Sequence, residues 1–210
     1  MDVMSGRRHS GPFDVVVAVG SQGALRVART LLSALPEDFP AAVVYAQHRV
    51  PSAGSGLVTL VRHDAQLPVY EIADGDPVRP GAVYIAPANA QTTVAADRRF
   101  HLDEGHCRGD PLMLSVGEVY GARCLALVLS GHLRDGAAGL RRIKQSGGRG
   151  FVQSPASADA DGMPLAAMAT GCYDFVLPPE QLLAALVAFV SVPGAAELLG
   201  VRGHPNAVGV

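Results

Sequence analysis

With 210 residues, 49% hydrophobic and 17% charged, the chain can bury one sizeable core, and its length favours one domain over two. A formal net charge of −2 leaves no basic face of the kind that grips a phosphate backbone, which argues against nucleic acid as a partner. Cys107, Cys124 and Cys172 are widely spaced and form no CxxC pair, so they read as reduced, structural thiols rather than a zinc or redox site.

The first 13 residues, MDVMSGRRHSGPF, contain no apolar run of a signal peptide. No later stretch approaches the roughly 20 apolar residues that cross a bilayer. A cytoplasmic location without membrane insertion is expected. Residues 1–13 read as a loosely held N-terminus, 14–193 as one domain and 194–210 as a C-terminal tail.

From residue 14 onwards, strand-like and helix-like runs alternate, the pattern of βαβ units. DVVVAV (14–19) predicts a strand, ALRVARTLLSAL (24–35) a helix, and AVVYAQ (42–47) a second strand. In the helix, Leu25, Ala28, Leu32 and Leu35 recur at intervals of three and four residues and mark one apolar stripe. Residues 55–66 give a weaker helix, then PVYEI (68–72) and AVYIA (82–86) give strands. Residues 73–105 break the alternation, and TTV and FHL flanking AADR predict an antiparallel hairpin. Helix LMLSVGEVYG (112–121), strand CLALVLS (124–130), helix AAGLRRIKQSG (137–147), strand GFVQ (150–153), helix GMPLAAMATG (162–171), strand DFVL (174–177) and helix PEQLLAALVAFV (179–190) complete the chain.

Several strands are apolar on both faces, so the sheet is expected to be covered by helices on each side. The fold class is α/β: three layers, doubly wound and mainly parallel, with the hairpin as a mixed edge.

Sites in such sheets lie outside the carboxyl ends of the strands. The first strand ends in Gly20-Ser21-Gln22-Gly23, the second in Gln47-His48-Arg49, and a later one in Ser130-Gly131-His132-Leu133-Arg134-Asp135-Gly136. A GxGxxG dinucleotide turn fails because position 22 is Gln, and no acidic residue ends the second strand. A phosphate-binding P-loop fails for want of GK[ST]. The seven histidines, 9, 48, 63, 101, 106, 132 and 204, show no HExxH or comparable spacing. No metal or other cofactor is expected, and His101 and His106 read as surface residues.

Nucleophilic catalysis fits the strand ends better. A serine hydroxyl needs an imidazole to take its proton, and the imidazole needs a carboxylate to fix its tautomer. Ser21, His48 and Asp135 supply these groups in the order Ser, His, Asp, which is not the α/β-hydrolase order and comes without GxSxG. Each residue has a plainer reading: Ser21 as a helix N-cap, His48 as a loop histidine, Asp135 as an N-cap or first-turn acid.

The segments VAVGSQGALRVARTLLSALPEDFPAAVVYAQHRVP, ADGDPVRPGAVYIAPAN, LALVLSGHLRDGAAGLRRIKQSGG and VQSPASADADGMPLAAMATG, in that order, resemble the catalytic domain of bacterial chemotaxis receptor methylesterases. The likeness covers about residues 14–190. It implies a serine hydrolase acting on glutamate γ-methyl esters of chemoreceptor cytoplasmic helices, with deamidation of certain glutamines. It also implies Ser21 as nucleophile, His48 as base, Asp135 as the carboxylate that holds it, and backbone N–H groups around Gln22, Gly23 and His132 as oxyanion donors.

This chain departs from the family pattern in three places. The family turn GASTGG is here GSQGA, one residue shorter, with Gln22 where threonine is usual. His132 stands where the family has methionine. HCRGDPLMLSV replaces an arginine-rich stretch, leaving only Arg108 nearby. Family members usually carry a receiver domain ahead of the catalytic domain; with 13 residues before the first strand, none is expected here, and control would be absent or supplied by a separate regulatory protein. Two alternatives stay open: a binding or adaptor module on the same scaffold, and an esterase with a different ester substrate.

Overall fold

The structure, a computed structural model, describes residues 11–49 and 56–195; expectations for residues 1–10, 50–55 and 196–210 lie outside the described residues. Among the described residues, nine strands and six α-helices follow one another as β1 (Val15–Gly20), α1 (Ala24–Ser33), β2 (Ala42–Gln47), α2 (Gly56–Asp64), β3 (Val69–Glu71), β4 (Val83–Ile85), β5 (Ala90–Val94), β6 (Phe100–Glu104), α3 (Gly109–Tyr120), β7 (Cys124–Val128), α4 (Ala137–Gln145), β8 (Arg149–Gln153), α5 (Gly162–Ala169), β9 (Phe175–Leu177) and α6 (Pro179–Ser191).

Seven strands form one sheet in the order β3-β4-β2-β1-β7-β8-β9, every pair parallel. Strand β1 lies at its centre, buried along its whole length. Its side chains alternate between two cores, as the two-residue period of a strand requires. Val16 and Ala18 pack with Val27, Leu31 and Leu32 of α1 and Leu182, Leu186 and Phe189 of α6. Val15, Val17 and Val19 pack with Leu112, Met113 and Val116 of α3, Leu140 and Ile143 of α4, and Met163 and Ala167 of α5. Each fully buried valine or leucine contributes about 1.5–3 kcal/mol, so the two faces hold the strand ends in fixed register.

Two expectations need correction. In α1 the buried stripe is Ala24, Val27, Ala28, Leu31 and Leu32, while Leu25 is turned outward and 39% exposed. The helix starts at Ala24 against the sheet, which puts position 25 about 100° away from that face. The hairpin forms as predicted, with Thr92 opposite Leu102, but β5 and β6 make a sheet of their own, and the seven-stranded sheet has no mixed edge. Val94 and Phe100 anchor the hairpin in the core beside α3, and the Tyr84 and Phe100 rings lie 5.0 Å apart. The turn residue that makes it possible is Arg98, in the left-handed region at φ 64°.

Helix α3 begins at Gly109, three residues ahead of the apolar run that predicted it. The Asp135 carboxylate accepts the Gly109 and Asp110 N–H groups, which have no partner within their own helix, and this extends the first turn.

The start of β1 is clamped. Arg123 donates to both Asp14 oxygens, at 2.6 and 2.9 Å, and to the Gly11 carbonyl at 3.1 Å. The Arg123 hydrogen bond holds the Asp14 carboxyl below its ordinary 3.8, against the opposing effect of burial. A depressed acid contributes stability that is present above the ordinary value and lost as pH falls through the lowered one. Asp14→Asn is therefore expected to cost about 0.5–1 kcal/mol in thermal unfolding at pH 7, limited by solvent screening of the arginine. The difference from the parent is expected to vanish below the depressed value; a gap that persists unchanged in acid would contradict the clamp.

Candidate active site

The connection from β1 leads to one side of the sheet and β7 returns to the other, so the topological switch point lies between the carboxyl ends of β1 and β7, where open α/β sheets place their sites. Ser21 follows β1 there, and Asp135 lies in the loop after β7. His48 follows β2, paired with β1 through Gly20 and Gln47. The three sequence-derived residues thus share one rim on adjacent strands.

The serine turn is held from both neighbouring strands. His48 N–H donates to the Gly20 carbonyl at 2.9 Å, and Ser21 N–H donates to the Ser130 carbonyl at 2.9 Å. The Gln47 side-chain amide donates to the Ser21 carbonyl at 2.7 Å, and its own oxygen accepts the Tyr45 hydroxyl. Ser130 Oγ donates to the Gln22 carbonyl at 2.8 Å and itself accepts Ala160 N–H at 3.0 Å. Four backbone groups of residues 20–22 are therefore fixed. Ser21 Oγ, half-exposed, makes no hydrogen bond among the described residues.

Ser21 does not cap α1. The cap position is Gly23 at φ 81°, with no side-chain cap hydrogen bond. That backbone conformation favours glycine, and a Cβ at Gly23 would also lie 2.5 Å from Asp159 Cβ. Gln22 points outward, with its Oε1 3.0 Å from His132 Nε2. The backbone N–H groups of Gln22, Gly23 and His132 meet no acceptor among the described residues.

Asp135 accepts three backbone N–H groups: Gly109 on Oδ2 at 2.7 Å, and Asp110 and Gly136 on Oδ1 at 2.9 and 3.1 Å. It touches the first turn of α4 through Gly136, yet its shortest contacts are with the N-terminus of α3. A carboxylate offers about four acceptor positions, so one remains open. The His48 ring is exposed and makes no hydrogen bond among the described residues. The structure brings Ser21, His48 and Asp135 to one rim without hydrogen-bonding their side chains to one another.

Gly131 matters for the serine. A Cβ there would lie 2.1 Å from Met163 Sδ and 2.9 Å from Ser21 Cβ. Met163 is the yielding neighbour, but Ser21 Cβ is rigid, so Gly131→Ala is expected to displace the hydroxyl. A misplacement of this kind is expected to lower kcat of ester hydrolysis about 10- to 100-fold with KM little changed. An unchanged kcat in steady-state assays would contradict the placement.

Residues that sequence reasoning did not single out also build the site. Ser130, Gln47 and Gln153 are buried polar side chains at strand ends, and Gln153 Oε1 accepts Ser130 N–H at 3.0 Å. Polar residues closing otherwise apolar strands are the signal that marks them, since buried polar groups persist where they are hydrogen-bonded. Asp110 is the other, and its role depends on a contact between two helices that spacing does not reveal. Cys107 is buried close by; burial pushes its thiol up to about 11, so it is not a poised nucleophile.

Fold and rim together define a doubly wound α/β protein with a serine-bearing turn at its switch point. The chain belongs to the CheB methylesterase family, whose profile matches residues 16–186. It is 36% identical over 187 residues to the protein-glutamate methylesterase FrzG of Myxococcus xanthus, covering 86% of this chain and 56% of that protein. It is 36% identical over 204 residues to a protein-glutamate methylesterase/protein-glutamine glutaminase of Moorella thermoacetica, covering 91% of this chain and 47% of the relative. The crystal structure of the Thermotoga maritima CheB methylesterase catalytic domain superposes with a TM-score of 0.81 at 29% identity, covering 85% of this chain and 99% of that one. The chain spans about half the length of the curated relatives it matches. Among the described residues no helix is long and apolar enough to cross a membrane.

Proposed function

We propose that this chain is a serine esterase that removes methyl groups from glutamate γ-methyl esters on the cytoplasmic helices of chemoreceptors, and deamidates glutamines at the same site. The observation that carries the reading is Ser21: a hydroxyl with no hydrogen bond among the described residues, on a turn pinned through four backbone groups, beside N–H donors that meet no acceptor among those residues, at the switch point. The names of the relatives, protein-glutamate methylesterase and protein-glutamine glutaminase, support the same chemistry.

In this mechanism His48 takes the Ser21 proton as Oγ attacks the ester carbonyl carbon. The exposed His48 ring turns inward, donating its other nitrogen's proton to the open acceptor position of Asp135. Charge developing on the carbonyl oxygen is met by backbone N–H groups of Gln22, Gly23 and His132; one such donor is worth roughly 100- to 1,000-fold in rate. The carbon–methoxy bond breaks, His48 returns the proton, and methanol leaves. Water then attacks the acyl-enzyme with His48 again as base, giving the glutamate carboxylate and free Ser21. A glutamine side chain follows the same path with ammonia as the leaving group.

Leu133 supports a macromolecular substrate. It sits beside His132 in the left-handed region at φ 63° and is 83% exposed, an apolar contact held out at the rim. The reading places the protein in the cytoplasm, acting on receptor helices. Its test is methanol release from methylated receptor fragments: release from these above the rate on a small methyl ester is expected. Hydrolysis of the small ester alone would assign another substrate, and no hydrolysis of either would leave a binding module.

A further inference from the structure

We propose that Asp110 is a positioning residue for the reaction: its carboxylate ties the N-terminus of α4 to that of α3 and so holds the Asp135 side chain at the rim. The proposal rests on reading Asp135 as the carboxylate that steadies His48.

The two acids cap each other's helices. Asp135, just ahead of α4, accepts Gly109 and Asp110 N–H of α3 at 2.7 and 2.9 Å. Asp110, in the first turn of α3, accepts Gly139 N–H of α4 on Oδ1 at 2.8 Å. The contacts form a closed ring: from the Asp110 backbone to the Asp135 carboxylate, along the start of α4 to Gly139, and back to the Asp110 carboxylate. Opening either bond leaves donors in a helix first turn without partners and frees the other acid to rotate.

Glycines permit this approach and join the ring to the serine-bearing strand. A Cβ at Gly109 would lie 2.8 Å from Val19 Cβ, and a Cβ at Gly139 would lie 2.3 Å from Met113 Cβ. Val19 is two residues before Ser21. A shift of either helix end is therefore transmitted to the nucleophile as well as to Asp135.

The cost of the arrangement is visible in its charges. Burial raises the Asp110 carboxyl above its ordinary 3.8, the Gly139 N–H opposes this, and the Asp135 charge adds to the rise. Two carboxylates are kept close because each is met by the positive end of a helix. Arg134 and Arg141 line the same groove as Asp110, and Arg108 precedes α3.

The test combines amide hydrogen exchange with kinetics on a small methyl ester, using the full chain. Asp110→Ala is expected to speed exchange at Gly139, its direct partner, and also at Gly109, bonded only to Asp135. It is expected to lower kcat about tenfold with KM within about twofold, since orientation rather than binding is lost. Asp110→Asn keeps an oxygen for Gly139 and is expected to stay within about threefold of the parental kcat. Asp110→Glu keeps the charge but overreaches by one methylene and is expected to behave as the alanine variant, which covers the case in which alanine does not fold.

Unchanged exchange at Gly109 in the folded Ala or Glu variant, parental kcat in either, or equal loss in the Asn variant would overturn the proposal. If the parental chain hydrolyses no ester, the functional reading fails by itself, and exchange at Gly109 still decides whether the two helix ends are coupled through Asp110.

Discussion

Ser21→Ala is expected to leave the protein folded and to lower kcat of ester hydrolysis by about 10⁴-fold or more, the order lost when a Ser-His-Asp nucleophile is removed. The structural part of this expectation follows from what Ser21 Oγ does not do. It caps no helix and makes no hydrogen bond among the described residues, while the contacts that fix its turn all engage backbone groups of residues 20–22 and remain in alanine. The Cβ that packs against Gly131 is also retained. Stability should therefore be unchanged, and near-ultraviolet circular dichroism with ester kinetics separates the two effects. A variant that keeps activity within tenfold of the parent would place the chemistry elsewhere.

Asp135→Asn is expected to affect both activity and stability, unequally. Oδ2 serves Gly109 and Oδ1 serves Asp110 and Gly136, so either orientation of an amide sets its NH₂ against at least one backbone donor. Leaving a part-buried N–H without its acceptor costs about 1–3 kcal/mol. The kinetic loss is expected to be much larger, about 10⁴-fold in kcat, because the neutral side chain no longer holds the imidazole in the productive tautomer. Urea unfolding and steady-state kinetics on the same preparation test this split. A loss of activity that only follows the unfolded fraction would assign Asp135 to helix capping alone.

The parallel sheet was legible because its strands are apolar on both faces and end abruptly: VVVAV stops at Gly20-Ser21, and CLALVLS at Gly131. Strand ends and the switch-point rule then suffice to bring Ser21 and Asp135 together, and the neighbouring strand adds His48. The hairpin's position was not legible, since period-two patterning defines a strand pair but not whether it joins the main sheet or packs on a helix. Leu25 was misplaced because three- and four-residue spacing suits two adjacent faces of α1 equally well, and the choice between them comes from where Gly23 starts the helix. The pinning of the serine turn and the Asp110–Asp135 ring depend on side chains between 25 and 108 residues from their partners. Such pairings follow from topology and have no local signature.

In the proposed mechanism Ser21, His48 and Asp135 act as one proton-relay unit at the rim. Reaction with a fluorophosphonate ester, followed by mass spectrometry of the labelled peptides, tests it, because such a reagent phosphonylates a serine far faster when a neighbouring base removes its proton in the attack. One adduct is expected, on Ser21, with its rate of formation lowered by at least about 100-fold in His48→Ala. Labelling of a different residue, or labelling of Ser21 at the parental rate without His48, would contradict it.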